Sequence, residues 1–265
     1  MATRRILAGA IYTACLPHIA LARLAEFLHP SGLLDDLNKC IAVIDEEAYP
    51  APSSLIEALL VAEDHRNHLH PGIDPIGILR ASIAWMLLHK VQGASTIEQQ
   101  FVRTVTGHRQ RTIRRKLREQ ILAILLCRQR SKVAICSAYL SIAYFGHECI
   151  GLKSMKHVAL DNDEGALRVV AHLKYPRPKN PTNSWELRIE ARAIYLADYW
   201  RRLANNSAHR FPPFLFLAQK NRWPRLFAYL SVRQPDHAKG KNDKNRAEST
   251  IKRQKRDKSS CQFYF

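Results

Sequence analysis

A mostly α-helical fold is what this 265-residue sequence predicts, and three observations predict it. From Leu55 onward apolar residues recur three and four apart, the spacing of one helix face. Helix-starting and helix-breaking residues punctuate that pattern along the chain. No segment alternates apolar and polar residues over a length that would make a convincing strand. Length and a hydrophobic content of 46% suffice for one core with appendages rather than two large domains.

Residues 1–24 open with Arg4-Arg5 and an apolar run from Ile6 to Leu16, which Pro17-His18 breaks before Ile19-Ala20-Leu21-Ala22. A bilayer-spanning helix wants about 20 apolar residues, whereas a basic flank, a short apolar run and small residues also fit a secretory signal. The expectation is a membrane anchor or signal-like segment, against an internal helix of a soluble protein. The main domain is expected over residues 25–205. Residues 23–52 read as mixed helix and loop, ended by Pro50 and Pro52.

Leu55 to Ala62 reads as a helix that delivers Glu63 at its end. Asp74-Pro75 starts another, with Asp as N-cap and Pro at a position that has no N–H to satisfy. Along Ile76–Lys90, the residues Ile76, Leu79, Ile83, Met86 and Leu87 form one apolar face, expected to pack on the core. After Gln92-Gly93-Ala94, Ser95-Thr96-Ile97-Glu98 has the form of a capping box. From Arg109 to Arg128 the helical wheel puts Arg111, Arg115, Arg118 and Glu119 on one side and Ile113, Leu117, Ile121 and Ile124 on the other. Ser131 caps a helix that runs to Tyr144 and into Phe145-Gly146. Helices at about 152–160 and 164–173 follow, and the prolines at 176, 178 and 181 end them. Trp185 to Leu203 is the last long amphipathic helix. Residues 206–232 form an extension with short apolar runs. Residues 233–265 form a basic tail, with ten Lys/Arg against four Asp/Glu from Arg233 to Lys258, which is expected to be disordered.

The balance of 41 Lys+Arg against 23 Asp+Glu, a formal net charge of +18, predicts an anionic partner: nucleic acid, acidic lipid or a phosphorylated substrate. No basic-aromatic stacking motif accompanies the charge, so nucleic acid is not expected, and a polybasic tail also suits an anionic membrane surface. Six cysteines without a C-x-x-C pair argue against structural zinc and a disulfide framework. His65, His68 and His70 lack the spacing of a closed zinc site, so no protein-held metal is expected.

Chemistry concentrates in Glu63-Asp64-His65-Arg66-Asn67-His68-Leu69-His70-Pro71-Gly72-Ile73-Asp74. A carboxylate where a buried helix opens into a loop is held rigidly yet reaches solvent, as a general base requires, although ordinary charges at a helix end would look the same. The basic strip around Arg115 also reads as a solvated helix face.

Four motifs in order change the weight of these readings. The first is the twelve-residue loop just quoted. The second is Gly93-Ala94-Ser95-Thr96-Ile97-Glu98-Gln99-Gln100-Phe101-Val102-Arg103, the third Arg115-Lys116-Leu117-Arg118-Glu119, and the fourth Tyr139-Leu140 with Phe145-Gly146. With them, residues 55 to about 200 resemble the glycosyltransferase family 51 domain, the peptidoglycan transglycosylase module of class A penicillin-binding proteins and of monofunctional transglycosylases. The resemblance implies a lysozyme-like, mostly helical domain that polymerises lipid II with release of undecaprenyl pyrophosphate. It implies Glu63 as general base on the acceptor hydroxyl and Glu119 as the group assisting departure of the pyrophosphate. Arg103, Arg111, Lys116 and Arg118 would hold that pyrophosphate, Arg through bidentate contacts, and Arg115 would belong to the substrate site beside them. Asp64, His70, Ser95, Thr96, Gln99 and Gln100 would complete the substrate site.

The resemblance further implies no tightly bound cofactor, with a divalent cation (Mg or Mn) arriving on the substrate pyrophosphate. Expected partners are lipid II, the growing glycan strand, the membrane surface and other cell-wall synthesis proteins. The expected location is the bacterial inner membrane, with the catalytic domain facing the periplasm or cell exterior. Five residues depart from the family pattern. Asn67 stands in place of Phe, and Glu98 in place of a hydroxyl residue, where its charge opposes phosphate binding unless it turns into the capping box. Thr104 replaces Asn, and Ser137 and Ser141 replace Glu and Asn. Two other functions compete: a degenerate domain that binds lipid-linked precursors or wall-synthesis proteins, and a lysozyme-like glycan hydrolase with two carboxylates.

Overall fold

A computed structural model of the chain describes residues 2–47, 51–90, 92–155 and 163–205. Over these residues the helices are α1 (Ala2–Leu28), α2 (Ser31–Glu46), α3 (Ser53–Glu63), α4 (Pro75–Leu88), α5 (Ile97–Thr106), α6 (Ile113–Gln129), α7 (Lys132–Ile142), α8 (Asp163–Lys174) and α9 (Asn183–Asn205). A short antiparallel hairpin, β1 (Tyr144–Gly146) and β2 (Cys149–Ile150), lies between α7 and α8. The expected extension 206–232 and basic tail 233–265 lie outside the described residues, as do residues 156–160 of the helix expected at about 152–160. Of that helix, Leu152–Ser154 forms a single 3-10 turn.

Helix α3 is buried continuously from Leu55 to Val61, so over two turns it has no solvent face. A helix apolar nearly all round belongs at the centre of a fold, and α8 and α9 pack on it. A second group forms where α5 packs on α6 and α7, with α2 laid across α5 and α6. Phe101, Leu122, Leu125, Phe145 and Trp200 are fully or almost fully buried in these contacts. Glu63 leaves the central helix at its last turn, which is why it is both anchored and open to the surface.

Several expectations need correction. Pro17 does not break α1. A proline removes one intrahelical hydrogen bond, and the helix continues from Ala2 to Leu28 regardless. Its stretch Ile6–Leu28, 23 residues of mean hydropathy 1.4, is long enough to cross a bilayer. The expected boundary at residue 24 falls inside this helix, whose Ile11, Cys15 and Ala22 are buried. Residues 31–46, read as mixed, are a helix whose Leu33, Leu37, Cys40 and Ile44 form one buried face.

The apolar face of α4 does not pack on the core. Only Gly77 and Ala84 are buried, while Leu79, Trp85, Met86, Leu87 and Leu88 are each at least 60% exposed. The capping box is also displaced by one residue. Thr96 is the N-cap of α5, accepting from Gln99 N at 3.3 Å, and Glu98 is sunk in the interior and does not reach back to the cap. Helix α6 starts at Ile113, capped by Thr112, so Arg111 precedes it, and Ile113 is 89% exposed rather than core. Ser131 caps α7 as expected. The hairpin escaped a reading based on alternation because its strands are two and three residues long. Gly146, at φ +138°, is required there: a Cβ would lie 2.1 Å from the backbone nitrogen of Arg177.

Candidate active site

Glu63 ends α3 and Asp64 caps it, so the twelve-residue loop begins from the helix that is buried from Leu55 to Val61. The loop is fastened to the first turn of α5. Thr96 Oγ1 donates to Gly72 O at 2.8 Å, Gln99 Nε2 donates to the same carbonyl at 3.3 Å, and Ile97 N donates to Asp64 Oδ2 at 3.3 Å. Gly72 is bound to this position by sterics: φ is +115°, and a Cβ would sit 2.7 Å from Ala123 O of α6. Arg66 binds Asp74 at the far end of the loop. Burial pushes Asp74 up, but the Arg66 guanidinium outweighs it and holds the carboxyl below the usual range.

Glu63 is partly buried and lines a pocket together with Arg66, Arg80, Gly93, Ser95 and Thr96. Gln100 Nε2 donates to its Oε2 at 3.1 Å, and Tyr139 O–H donates to Gln100 Oε1 at 3.0 Å. Desolvation raises the Glu63 carboxyl above its ordinary value of 4.5; the Gln100 amide, Arg192 and Lys174 oppose the rise and Asp64 adds to it. Tyr139 is raised too, by burial and by the Glu63 charge, and stays a neutral donor.

Glu119 occupies the opposite kind of place. It is 2% exposed on α6, Arg115 Nη1 binds its Oε1, and Lys116 Nζ lies 3.6 Å from Oε2. Lys116 connects the two acids. Its ammonium donates to Gln99 Oε1 at 2.6 Å and to Ser95 Oγ at 2.8 Å, so α5 presents Gln99 to Lys116 and the next residue, Gln100, to Glu63. Burial lowers the Lys116 pKa, Glu119 opposes that, and Arg103 and Arg115 reinforce it. A strongly cationic, partly desolvated cluster results, and an incoming polyanion would relieve its repulsion.

The structure therefore brings together Glu63, Ser95, Thr96, Gln99, Gln100, Arg103, Arg115, Lys116 and Glu119, and treats the other expected residues differently. Arg118 turns to α2, where it binds Asp36 Oδ2 at 2.7 Å and Gly32 O, so it braces two helices. The helical wheel missed this because it places residues on a face without saying which neighbour lies opposite. Arg111 lies exposed ahead of α6. His70 is 1% exposed and fixed at both ring nitrogens, with Nε2 on Asp64 at 3.0 Å and Nδ1 accepting from Gly72 N at 3.2 Å. It shapes the loop and offers substrate no surface. Asp64, 6% exposed, is likewise held by His70, Asn67 and Ile97 N.

Sequence reasoning missed Lys174 and Arg192, which reach the surroundings of Glu63 from α8 and α9, more than one hundred residues downstream. No local pattern marks them. The hydroxyl of Tyr139 was within a quoted motif but had no role until Gln100 supplied a partner. The donor atoms of Asp64, His70 and Glu98 lie within 4.8 Å of one another, a grouping of the type that holds cations. Here Lys132 Nζ, 2.7 Å from Glu98 Oε1, supplies the positive charge.

Comparison with known proteins agrees with this geometry. The family model described as Transglycosylase matches residues 43–195, more than half of the chain. Penicillin-binding protein 1A of Escherichia coli is 34% identical over 153 residues, covering 55% of this chain and 18% of the relative. The Vibrio cholerae protein of the same name is 32% identical over 198 residues, covering 68% and 24%, and that of Aquifex aeolicus is 36% identical over 153 residues, covering 55% and 21%. The chain thus spans a quarter or less of the length of these relatives. With a matching model across α3 to α9 and the motif residues gathered around α5, the chain belongs to the transglycosylase family.

Proposed function

We propose that this chain is a peptidoglycan glycosyltransferase that polymerises lipid II and releases undecaprenyl pyrophosphate. Glu63 takes the proton from the acceptor sugar hydroxyl as that oxygen bonds to the anomeric carbon of the donor. The bond from that carbon to the pyrophosphate oxygen breaks, and the leaving diphosphate keeps the electron pair. Lys116, Arg103 and Arg115 are placed to take up the charge that develops, and Glu119 keeps Lys116 and Arg115 oriented. One observation carries the reading: consecutive side chains of α5 hold Glu63 and Lys116, so the base and the cationic cluster share one rigid mount. A glycan hydrolase expels a sugar hydroxyl and has no use for such a cluster.

A divalent cation (Mg or Mn) would reach the site on the diphosphate itself, since Glu119 Oε2 is buried with Lys116 Nζ 3.6 Å away. Such a cation would supply further charge neutralisation. The unpacked apolar surface of α4 and the span Ile6–Leu28 support a membrane location, which would set the site close to a lipid-linked substrate; on this reading the domain faces the periplasm or cell exterior.

The test is polymerisation of labelled lipid II by the wild type, Glu63→Gln and Glu119→Gln. Polymer from the wild type and almost none from either variant is expected. Lipid II binding by a wild type that makes no polymer would replace the enzyme with a precursor-binding domain. Soluble fragments released from purified cell wall would replace it with a hydrolase.

A further inference from the structure

Two positions where the sequence leaves the family pattern, Asn67 and Glu98, touch one another in the interior. Asn67 Nδ2 donates to Glu98 Oε1 at 2.7 Å and to Asp64 Oδ2 at 3.1 Å. Lys132 Nζ, from the start of α7, donates to the same Glu98 oxygen at 2.7 Å. Asn67 is 3% and Glu98 1% exposed. Burial opposes ionisation of Glu98, but Lys132 outweighs it and keeps the carboxylate charged, while Glu98 in turn stabilises the half-buried Lys132 ammonium. Glu98 therefore neither repels substrate phosphate nor caps its own helix. It is the fixed acceptor on which Asn67 hangs.

The consequence lies in the loop. An apolar residue at 67 can fill space, but it cannot tie Asp64 to α5. Asn67 does so with two hydrogen bonds, and the residue before Asp64 in the chain is Glu63. We propose that Asn67, Glu98 and Lys132 are positioning residues that lock the loop 64–74 onto α5 and so fix Glu63 relative to Gln100 and Lys116. The proposal rests on the role given to Glu63 above. Asp64, His70 and Glu98 already carry protein donors, so the cluster is an internal ion-pair network rather than a cation site.

The test uses the full chain. Asn67→Leu keeps the branched shape and the number of heavy atoms, leaves the Glu98–Lys132 pair intact and removes the Asn67 bridge, while the ties from Thr96, Gln99 and Ile97 N stay. Polymerisation should show kcat down by about tenfold with KM within about twofold, since displaced reacting groups cost rate rather than affinity. Amide hydrogen exchange measured without substrate should quicken over residues 65–73 and stay unchanged in α7. Lys132→Met/Glu98→Gln removes both charges together, which buried pairs tolerate far better than loss of one, and it decides the matter if Asn67→Leu does not fold. In that variant kcat should fall and exchange over 65–73 rise, both by less than in Asn67→Leu. Wild-type kcat and wild-type exchange in the folded variants would overturn the proposal. If the wild type makes no polymer, the function assigned to Glu63 fails, and unchanged loop exchange would then overturn the network by itself.

Discussion

Glu63 and Glu119 have the same side chain and opposite surroundings. Glu63 borders a pocket, receives one hydrogen bond from an amide, and is pushed up by burial that two more distant cations only partly offset. Glu119 is sealed in α6 with Arg115 and Lys116 upon it. A carboxylate that must take a proton near neutrality profits from the first setting, and one that must stay an anion and hold cations in register profits from the second. Role follows from the neighbours that α5 and α6 supply rather than from residue type.

The sharpest way to break this contrast is to remove each acid in turn. Glu63→Gln keeps the shape and loses the proton acceptor, so kcat should fall by about a thousandfold with little change in KM. Glu119→Gln releases Lys116 and Arg115, so both parameters should suffer: kcat by about a hundredfold, with KM raised, in steady-state assays on lipid II. Two arginines three residues apart on α6 extend the comparison. Arg115→Met should follow Glu119→Gln, whereas Arg118→Met breaks only the ties to Asp36 and Gly32 on α2 and should leave kcat within about twofold while the thermal midpoint drops by a few degrees.

A third buried glutamate supplies a control without chemistry. Glu57, in the middle of α3, is pushed up to about 8 by burial and by Asp163. Its folded pKa lies above its ordinary 4.5, so between these values the folded protein keeps a proton that the unfolded chain releases, and stability falls as pH rises. Glu57→Gln should therefore be more stable than the wild type near pH 8, by a few degrees in thermal midpoint, and no more stable below pH 4.5.

Much of this was legible in the sequence for reasons that are local. The helix before Glu63, the Asp74-Pro75 start and the Ser131 cap depend on residues within one turn of each other, and they appear where expected. What failed depended on partners far along the chain. The direction of Arg118 is set by Asp36, and the fate of Glu98 by Lys132 and Asn67. The apolar stripe of α4 was read as core because spacing reports amphipathicity and cannot say what covers the face. Helix α2 was read only as mixed helix and loop, although Leu33, Leu37, Cys40 and Ile44 carry the spacing of one helix face.

The central claim is that Glu63 is a base whose ionisation is held up by burial and tuned from α8 and α9. The direct measurement is kcat/KM for polymerisation against pH, in the wild type and in Lys174→Met. A base works only when ionised, so the rate must be lost as pH falls through its pKa. The account predicts an acid limb centred above 4.5 that moves to still higher pH in Lys174→Met, where one opposing cation is gone, and stays in place in Arg118→Met. A limb at or below 4.5, or one that Lys174→Met leaves unmoved, would contradict it.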